Sequence, residues 1–197
     1  MDEAQDRGAC TLVSVVVPVL NGMPWIEHQL RALAAQDAAA DWEVVVADNG
    51  SDDGTAACVE QWSARYPHIH LVDASARRGE AAAKNAGVRS ARGRFLAFCD
   101  ADDVVRPGWL ASMVAALGDA DLVAGMFDFS VLDGGPKSVP VPPATRQLGF
   151  LPFGLGANLA VRREVFEAVH GFCKQPPPTM GSMVADPVGR IQVRRHR

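Results

Sequence analysis

At 197 residues with 48% hydrophobic content the chain is long enough to bury one substantial core, and its formal net charge of −4 makes it acidic overall. Residues 173–197 hold five Lys/Arg against Asp186 alone, a local balance of +4 that leaves −8 for residues 1–172. An acidic body lacks the basic face that nucleic-acid binding needs, no apolar run is long enough to cross a bilayer, and the polar, acidic first ten residues are unlike a secretory signal.

These features set the expectation of a soluble, cytoplasmic protein, with room left for peripheral membrane contact. Cys10, Cys58, Cys99 and Cys173 are far apart with no Cys-x-x-Cys pair, so reduced packing cysteines are expected rather than a disulfide frame or zinc site.

In chain order, Leu12-Val13-Ser14-Val15-Val16-Val17 is a near-continuous β-branched run, read as a buried strand that Pro18 closes. Asn21-Gly22 is turn chemistry, and Trp25, Ile26, Leu30 and Leu33 recur at helical spacing from Pro24 to about Asp37. Glu43-Val44-Val45-Val46-Ala47 is a second apolar strand, stopping at the polar loop Asp48-Asn49-Gly50-Ser51-Asp52-Asp53-Gly54. A helix over residues 55–66 follows, with Ser51 or Asp53 available as its cap and Tyr66-Pro67 as its end. Residues 69–72 form a third strand, and residues 80–91 an alanine-rich helix suited to close packing over a sheet. His68 and His70 alternate onto one face near that strand's start and read as solvated rather than metal-binding.

The fourth strand is the informative one. Phe95–Cys99 carries no polar side chain and ends in Asp100-Ala101-Asp102-Asp103. Carboxylates packed this closely repel each other, more strongly away from bulk water, and normally need a cation. A hard divalent ion fits, because Mg²⁺ takes one or two protein carboxylates and completes its shell with water and phosphate oxygens. Taken alone, the same four residues are equally compatible with an acidic turn capping the next helix. A helix at 107–117 and a fifth strand at 121–126 continue the alternation.

Beyond, residues 127–131 alternate, 133–136 turn and 139–141 return as a short antiparallel strand. Residues 150–156 read as an irregular loop, 158–161 as a strand and 162–169 as a helix ended by His170-Gly171-Phe172. The organisation expected is a flexible segment at 1–10, one domain at 11–172, and a disordered Pro-rich basic tail at 173–197. Alternating strands and helices define a doubly wound, mainly parallel α/β sheet, in which ligands bind beyond the carboxyl ends of the strands. The polar clusters at 18–22, 48–54 and 100–103 each follow a strand and should meet at one edge.

With these pieces in order, the chain resembles the family 2 glycosyltransferases, nucleotide-diphospho-sugar transferases of the GT-A fold. The matching runs are Val13-Ser14-Val15-Val16-Val17-Pro18-Val19-Leu20-Asn21-Gly22, Val44 through Thr55, Arg78 through Gly87, Phe95 through Asp103, and Gly156-Ala157-Asn158-Leu159-Ala160-Val161-Arg162-Arg163. The resemblance implies that Pro18, Leu20 and Asn21 line a base and ribose pocket, with Asp48 hydrogen-bonding the pyrimidine or ribose and Asp53 close by. It implies that Arg78 and Lys84 face the diphosphate, although either could instead be a solvated helix charge. Asp100 and Asp102 match the Asp-x-Asp that contacts ribose and a Mg²⁺ or Mn²⁺ ion and serves catalysis, with Asp102 the direct metal ligand. The implied donor is a UDP-, GDP- or dTDP-sugar, and the acceptor a saccharide, lipid-linked or other hydroxyl.

One part of the pattern fails. An inverting transferase needs a carboxylate to take the acceptor hydroxyl's proton, and the resemblance implies an acid some way beyond the Gly-Phe pair. Here Gly171-Phe172 runs into Cys173-Lys174-Gln175-Pro176, and Asp186 is the one later acid. The donor half reads as intact and the acceptor half as cut short or altered. A catalytically silent sugar-nucleotide-binding module is therefore the alternative reading. A receiver-like domain with Asp100 as phosphoacceptor is a more distant one, lacking a convincing Lys and Thr/Ser constellation.

Overall fold

The computed structural model describes residues 12–38, 40–125, 146–148, 151–153 and 156–172. Its strands are β1 (Val13–Val19), β2 (Trp42–Asp48), β3 (Ile69–Asp73), β4 (Phe95–Cys99), β5 (Leu122–Ala124), β6 (Arg146–Leu148), β7 (Leu151–Phe153) and β8 (Asn158–Arg162). Its helices are α1 (Trp25–Ala34), α2 (Thr55–Arg65), α3 (Glu80–Ser90), α4 (Trp109–Ala116) and α5 (Arg163–Ala168). One six-stranded sheet runs β3-β2-β1-β4-β8-β5. The first four are parallel, and β8 lies antiparallel between β4 and β5. This is the mainly parallel α/β sheet of the GT-A fold.

Side-chain alternation sorts the core into two faces. Val13, Val15, Val17 and Val19 of β1 pack with Ile26, Leu30 and Leu33 of α1, Val59 of α2, and Leu110 and Met113 of α4. Val16 points the other way, with Val88 of α3, Phe98 of β4 and Phe166 of α5. Small residues let α3 sit close, as its composition anticipates: a Cβ on Gly87 would lie 2.5 Å from Val16 Cγ1.

Two boundaries differ from the sequence expectation. Strand β1 runs through Pro18 instead of stopping there. Its odd-numbered residues turn their backbone toward β2, as Val13 N donating to Asp41 O and Asn49 N donating to Val19 O show. Pro18 therefore faces β4, whose pairing with β1 has already ended at Val16 opposite Phe98, so its missing N–H costs no ladder bond. Within the stretch expected to be irregular, residues 151–153 form β7 and pair with β6, placing Pro152 opposite Gln147 in a two-stranded ribbon. Such a ribbon has an unpaired edge that accommodates proline.

The expected segment at 1–10, Cys10 and Cys173, the elements at 127–131, 133–136 and 139–141, and the tail at 173–197 lie outside the described residues. Cys58 and Cys99 are free thiols. His68 and His70 are both partly exposed, with the Nε2 atom of each turned inward and buried without a hydrogen-bond partner. His68 meets Trp42 and Tyr66 edge-on, and His70 lies 3.6 Å from Glu43 Oε2. Among the described residues no helix is long and apolar enough to cross a membrane.

Candidate functional site

Because β1, β2 and β4 are parallel, their carboxyl ends share one edge. Val19 lies opposite Asp48, and Val16 opposite Phe98. The loops at 18–22, 48–54 and 100–103 therefore emerge side by side where the strand order reverses around β1, the place where open α/β sheets hold ligands.

The first two loops are laced to each other. Asp48 is buried, and its Oδ1 accepts hydrogen bonds from Gly50 N, Ser51 N and Ser51 Oγ. Asn21, at a positive φ of 53°, donates its N–H to Ser51 Oγ and accepts Asp52 N–H on Oδ1. Asp53 Oδ1 closes the turn entering α2 by accepting from Thr55 N and Oγ1, while Oδ2 accepts Met23 N–H. The Thr55 hydroxyl, with those backbone donors, holds the Asp53 carboxyl below its ordinary pKa. Thus both acids already fasten the loop, whatever else they contact. Of the other expected pocket residues, Pro18 is buried in β1 and Leu20 is 48% exposed.

Asn49 was overlooked in the sequence. It is buried, donates to Ala74 O and Arg77 O, and accepts Gly79 N–H, which anchors the segment leading into α3. Arg78 is exposed and reaches back over this loop; a Cβ on Gly50 would lie 3.7 Å from its Cζ.

Lys84 is no solvated helix charge. It is 1% exposed, and its Nζ donates to Glu80 Oε1 and Gly156 O, lies 3.3 Å from Asp100 Oδ1, and sits over the Phe172 ring. Next to it, Asn85 holds Phe172 by donating to its carbonyl and accepting its N–H. The buried face of α3 thereby joins the acidic loop to both ends of the segment at 156–172.

The acidic loop is short of positive charge. Asp102 is exposed and Asp103 half-buried. Asp100 Oδ1 is buried and takes no hydrogen bond, even with Lys84 nearby. Burial raises the Asp100 pKa; Lys84 opposes this, while Glu80 and Asp102 add to it. Burial, then Asp100 and Asp102, push Asp103 up to about 6. A buried carboxylate oxygen without a donor, beside two more acids, suits a divalent cation. Among the described residues no group of three His, Cys, Asp or Glu side chains is placed to hold a metal ion, so an ion at this loop would take one or two carboxylates and draw its remaining ligands from water or a bound phosphate.

Two more residues missed in the sequence support this loop from below. Gln29 donates to Asp100 O and accepts Val105 N–H; Gln36 donates to Arg106 O and accepts Leu110 N–H. The available signal was phase: both amides fall in step with the apolar stripe of Ile26, Leu30 and Leu33, where a polar side chain needs partners.

A mainly parallel sheet with its strand reversal beside β1, and an acidic loop at the tip of β4, is the architecture of the GT-A class. The chain belongs to glycosyl transferase family 2, whose model matches residues 14–169. It is 32% identical over 168 residues to glycosyltransferase AglE of Haloferax volcanii, covering 81% of this chain and 55% of the relative. To the succinoglycan biosynthesis protein ExoO of Rhizobium meliloti it is 36% identical over 124 residues, 62% of this chain and 35% of the relative. Among solved structures, the mannosyltransferase PcManGT from Pyrobaculum calidifontis, in complex with GDP-Man and Mn²⁺, superposes with a TM-score of 0.64 at 28% identity, covering 86% of this chain and 48% of that one. S. aureus TarS with UDP-GlcNAc shares the fold at a TM-score of 0.64 and 23% identity, over 80% of this chain and 47% of that one. The chain thus spans about half the length of AglE and of these two structures, and about a third of ExoO.

Proposed function

We propose that this chain is the donor-binding half of a divalent-metal-dependent glycosyltransferase, taking a nucleotide-diphospho-sugar and passing its sugar, with inversion, to an acceptor hydroxyl. The observation that carries this reading is the meeting of the Asp48 and Asp100 loops at one sheet edge, where Lys84 lies 3.3 Å from a buried Asp100 oxygen on a loop with two further acids. The GDP-Man and Mn²⁺ bound by PcManGT support it.

Asp102, exposed, is the direct holder of a Mg²⁺ or Mn²⁺ ion, with Asp100 beside it. Such an ion acts as a Lewis acid that neutralises charge on the departing nucleoside diphosphate. Lys84 keeps Asp100 in place. Leu20, Asn21 and the Asp48 to Asp53 loop flank the nucleoside, with Pro18 as the buried floor beneath them, and Arg78 and Lys84 face the diphosphate.

Calorimetry with UDP, GDP and dTDP, each with and without Mn²⁺, tests the reading. One nucleotide should bind in a Mn²⁺-dependent way, and Asp102→Asn should weaken that binding at least about 10-fold while leaving metal-free affinity unchanged. No binding by any of the three would overturn it. A non-catalytic sugar-nucleotide-binding module is the second reading, favoured by Cys173-Lys174-Gln175-Pro176 following Gly171-Phe172 without an acid. Metal-dependent binding without sugar transfer or hydrolysis across a donor panel selects it; turnover removes it.

A further inference from the structure

Helix α1 carries a polar residue where its apolar stripe calls for a hydrocarbon. Gln29 is 0% exposed, among Ile26, Leu30 and Leu33. A buried amide without partners is costly, and a leucine would fill the same space without that cost. The amide is satisfied from the acidic loop: Nε2 donates to Asp100 O at 3.0 Å and Oε1 accepts Val105 N–H at 3.0 Å. A single side chain therefore pins both ends of residues 100–105, with Asp102 and Asp103 at the apex. Gln36 makes the same pair of bonds with Arg106 O and Leu110 N, at the entry to α4 and away from the carboxylates.

Three carboxylates on one short loop repel each other when no cation is present, and repulsion favours an open loop. Opening would lower metal affinity, because the loop would have to be re-ordered at binding. We infer that Gln29 is a positioning residue that holds the acidic loop in its metal-receiving shape before the ion arrives, whereas Gln36 serves the fold alone. This rests on the metal site proposed above.

The experiment uses the full chain and Mn²⁺ as probe, with UDP or GDP present, reading free Mn²⁺ by electron paramagnetic resonance. Gln29→Met, similar in length and without hydrogen-bonding capacity, should weaken Mn²⁺ binding about 10- to 100-fold, the usual effect of removing a group that orients metal ligands. Gln36→Met should change it less than about 3-fold. In the metal-free parent, hydrogen exchange at the Val105 amide should be as slow as in the core strands, and Gln29→Met should accelerate it without affecting Leu110. A folded Gln29→Met protein with parental Mn²⁺ affinity would overturn the inference while leaving the metal site standing. Should that variant not fold, the parent still decides: a Val105 amide that exchanges fast without metal and slows only with Mn²⁺ means the loop is not pre-shaped. A parent that binds no Mn²⁺ with either nucleotide overturns the metal site and this inference together.

Discussion

The two edges of the sheet treat buried charge in opposite ways. At the amino edge of the parallel strands, Glu43 is 2% exposed and fully matched: it accepts from Ser14 Oγ at 2.7 Å, from Arg92 N at 2.7 Å and from Arg92 Nε at 2.9 Å. Burial by itself would raise its pKa, but the Ser14 and Arg92 donors together bring it below the ordinary value. Ser14 Oγ in turn accepts Gly93 N–H, and Arg163 donates to Gly93 O, Ala91 O and Val88 O, covering the carbonyl end of α3 with a cation. At the carboxyl edge, Asp100 and Asp103 are both half-buried, Lys84 pairs with Asp100, and both carboxyl pKa values rise. The buried carboxylate of one edge is matched by donors; the acids of the other are left short of a cation. Perturbed carboxylates cluster at functional sites, which is the ground on which the carboxyl edge is proposed as the ligand's.

If this contrast is right, the largest effects on stability come from unbalancing the matched edge. Glu43→Leu would strand the Ser14 hydroxyl and the Arg92 N–H, and should cost on the order of 3 kcal/mol in urea unfolding, since each buried unmatched donor costs about 1–3 kcal/mol. The cost should be expressed above the ordinary carboxylate range. Glu43 has a depressed pKa in the fold, so its contribution is present above about 4.5 and disappears as pH falls through the lower folded value. A Glu43→Leu protein as stable as the parent at pH 7 would break the comparison.

Space differs between the edges as charge does. A Cβ on Gly93 would lie 2.5 Å from Ser14 N and 2.6 Å from Ser14 Oγ, inside the closed network. Gly108, at the entry to α4 on the carboxyl side, has nothing within 4 Å of the same point, though its φ of 75° disfavours a side chain. Gly93→Ala should therefore cost about 1–3 kcal/mol by overpacking, and Gly108→Ala only about 1 kcal/mol from backbone strain. Thermal unfolding of the two variants side by side checks the order.

Much of this architecture was legible before any coordinates. Apolar β-branched runs separated by helical spacing gave the strand–helix alternation, and β4 falls at the expected Phe95–Cys99. Parallel topology then placed Asp48 and Asp102 at one edge without further information. What stayed hidden depends on side-chain direction. Lys84 looks from its spacing like any lysine on an alanine-rich helix, and only the seating of α3 over β1 turns it inward to Asp100. Gln29 and Gln36 carry no mark of their own in the sequence, because the loop groups they hold, Asp100 O and Arg106 O, lie 71 and 70 residues away. Pro18 misled as a strand end because which neighbour a residue's N–H faces is set by register, which composition does not carry.

The smallest effect is also the most discriminating, because its sign reverses. In the metal-free protein Asp103 sits where its ionised form is disfavoured, with its pKa pushed up to about 6 by burial and by Asp100 and Asp102. Its ionised carboxyl therefore subtracts from stability above about pH 6, and the penalty fades as pH falls toward 3.8, where the group is protonated whether the chain is folded or not. Asp103→Asn removes the charge without changing the shape, and should stabilise the metal-free chain at pH 7 by about 0.5–1 kcal/mol, a modest figure because the group is partly exposed and solvent screens it. The gain should shrink to nothing near pH 4 and should also vanish at pH 7 when Mn²⁺ and the binding nucleotide are present, since the cation then supplies what the loop lacks. Melting curves of parent and variant at pH 4 and 7, with and without the metal, make the comparison, and His68, whose pKa burial lowers, cancels because both proteins carry it. Destabilisation by Asp103→Asn at pH 7 without metal would mean that the acids of the carboxyl edge, too, are matched.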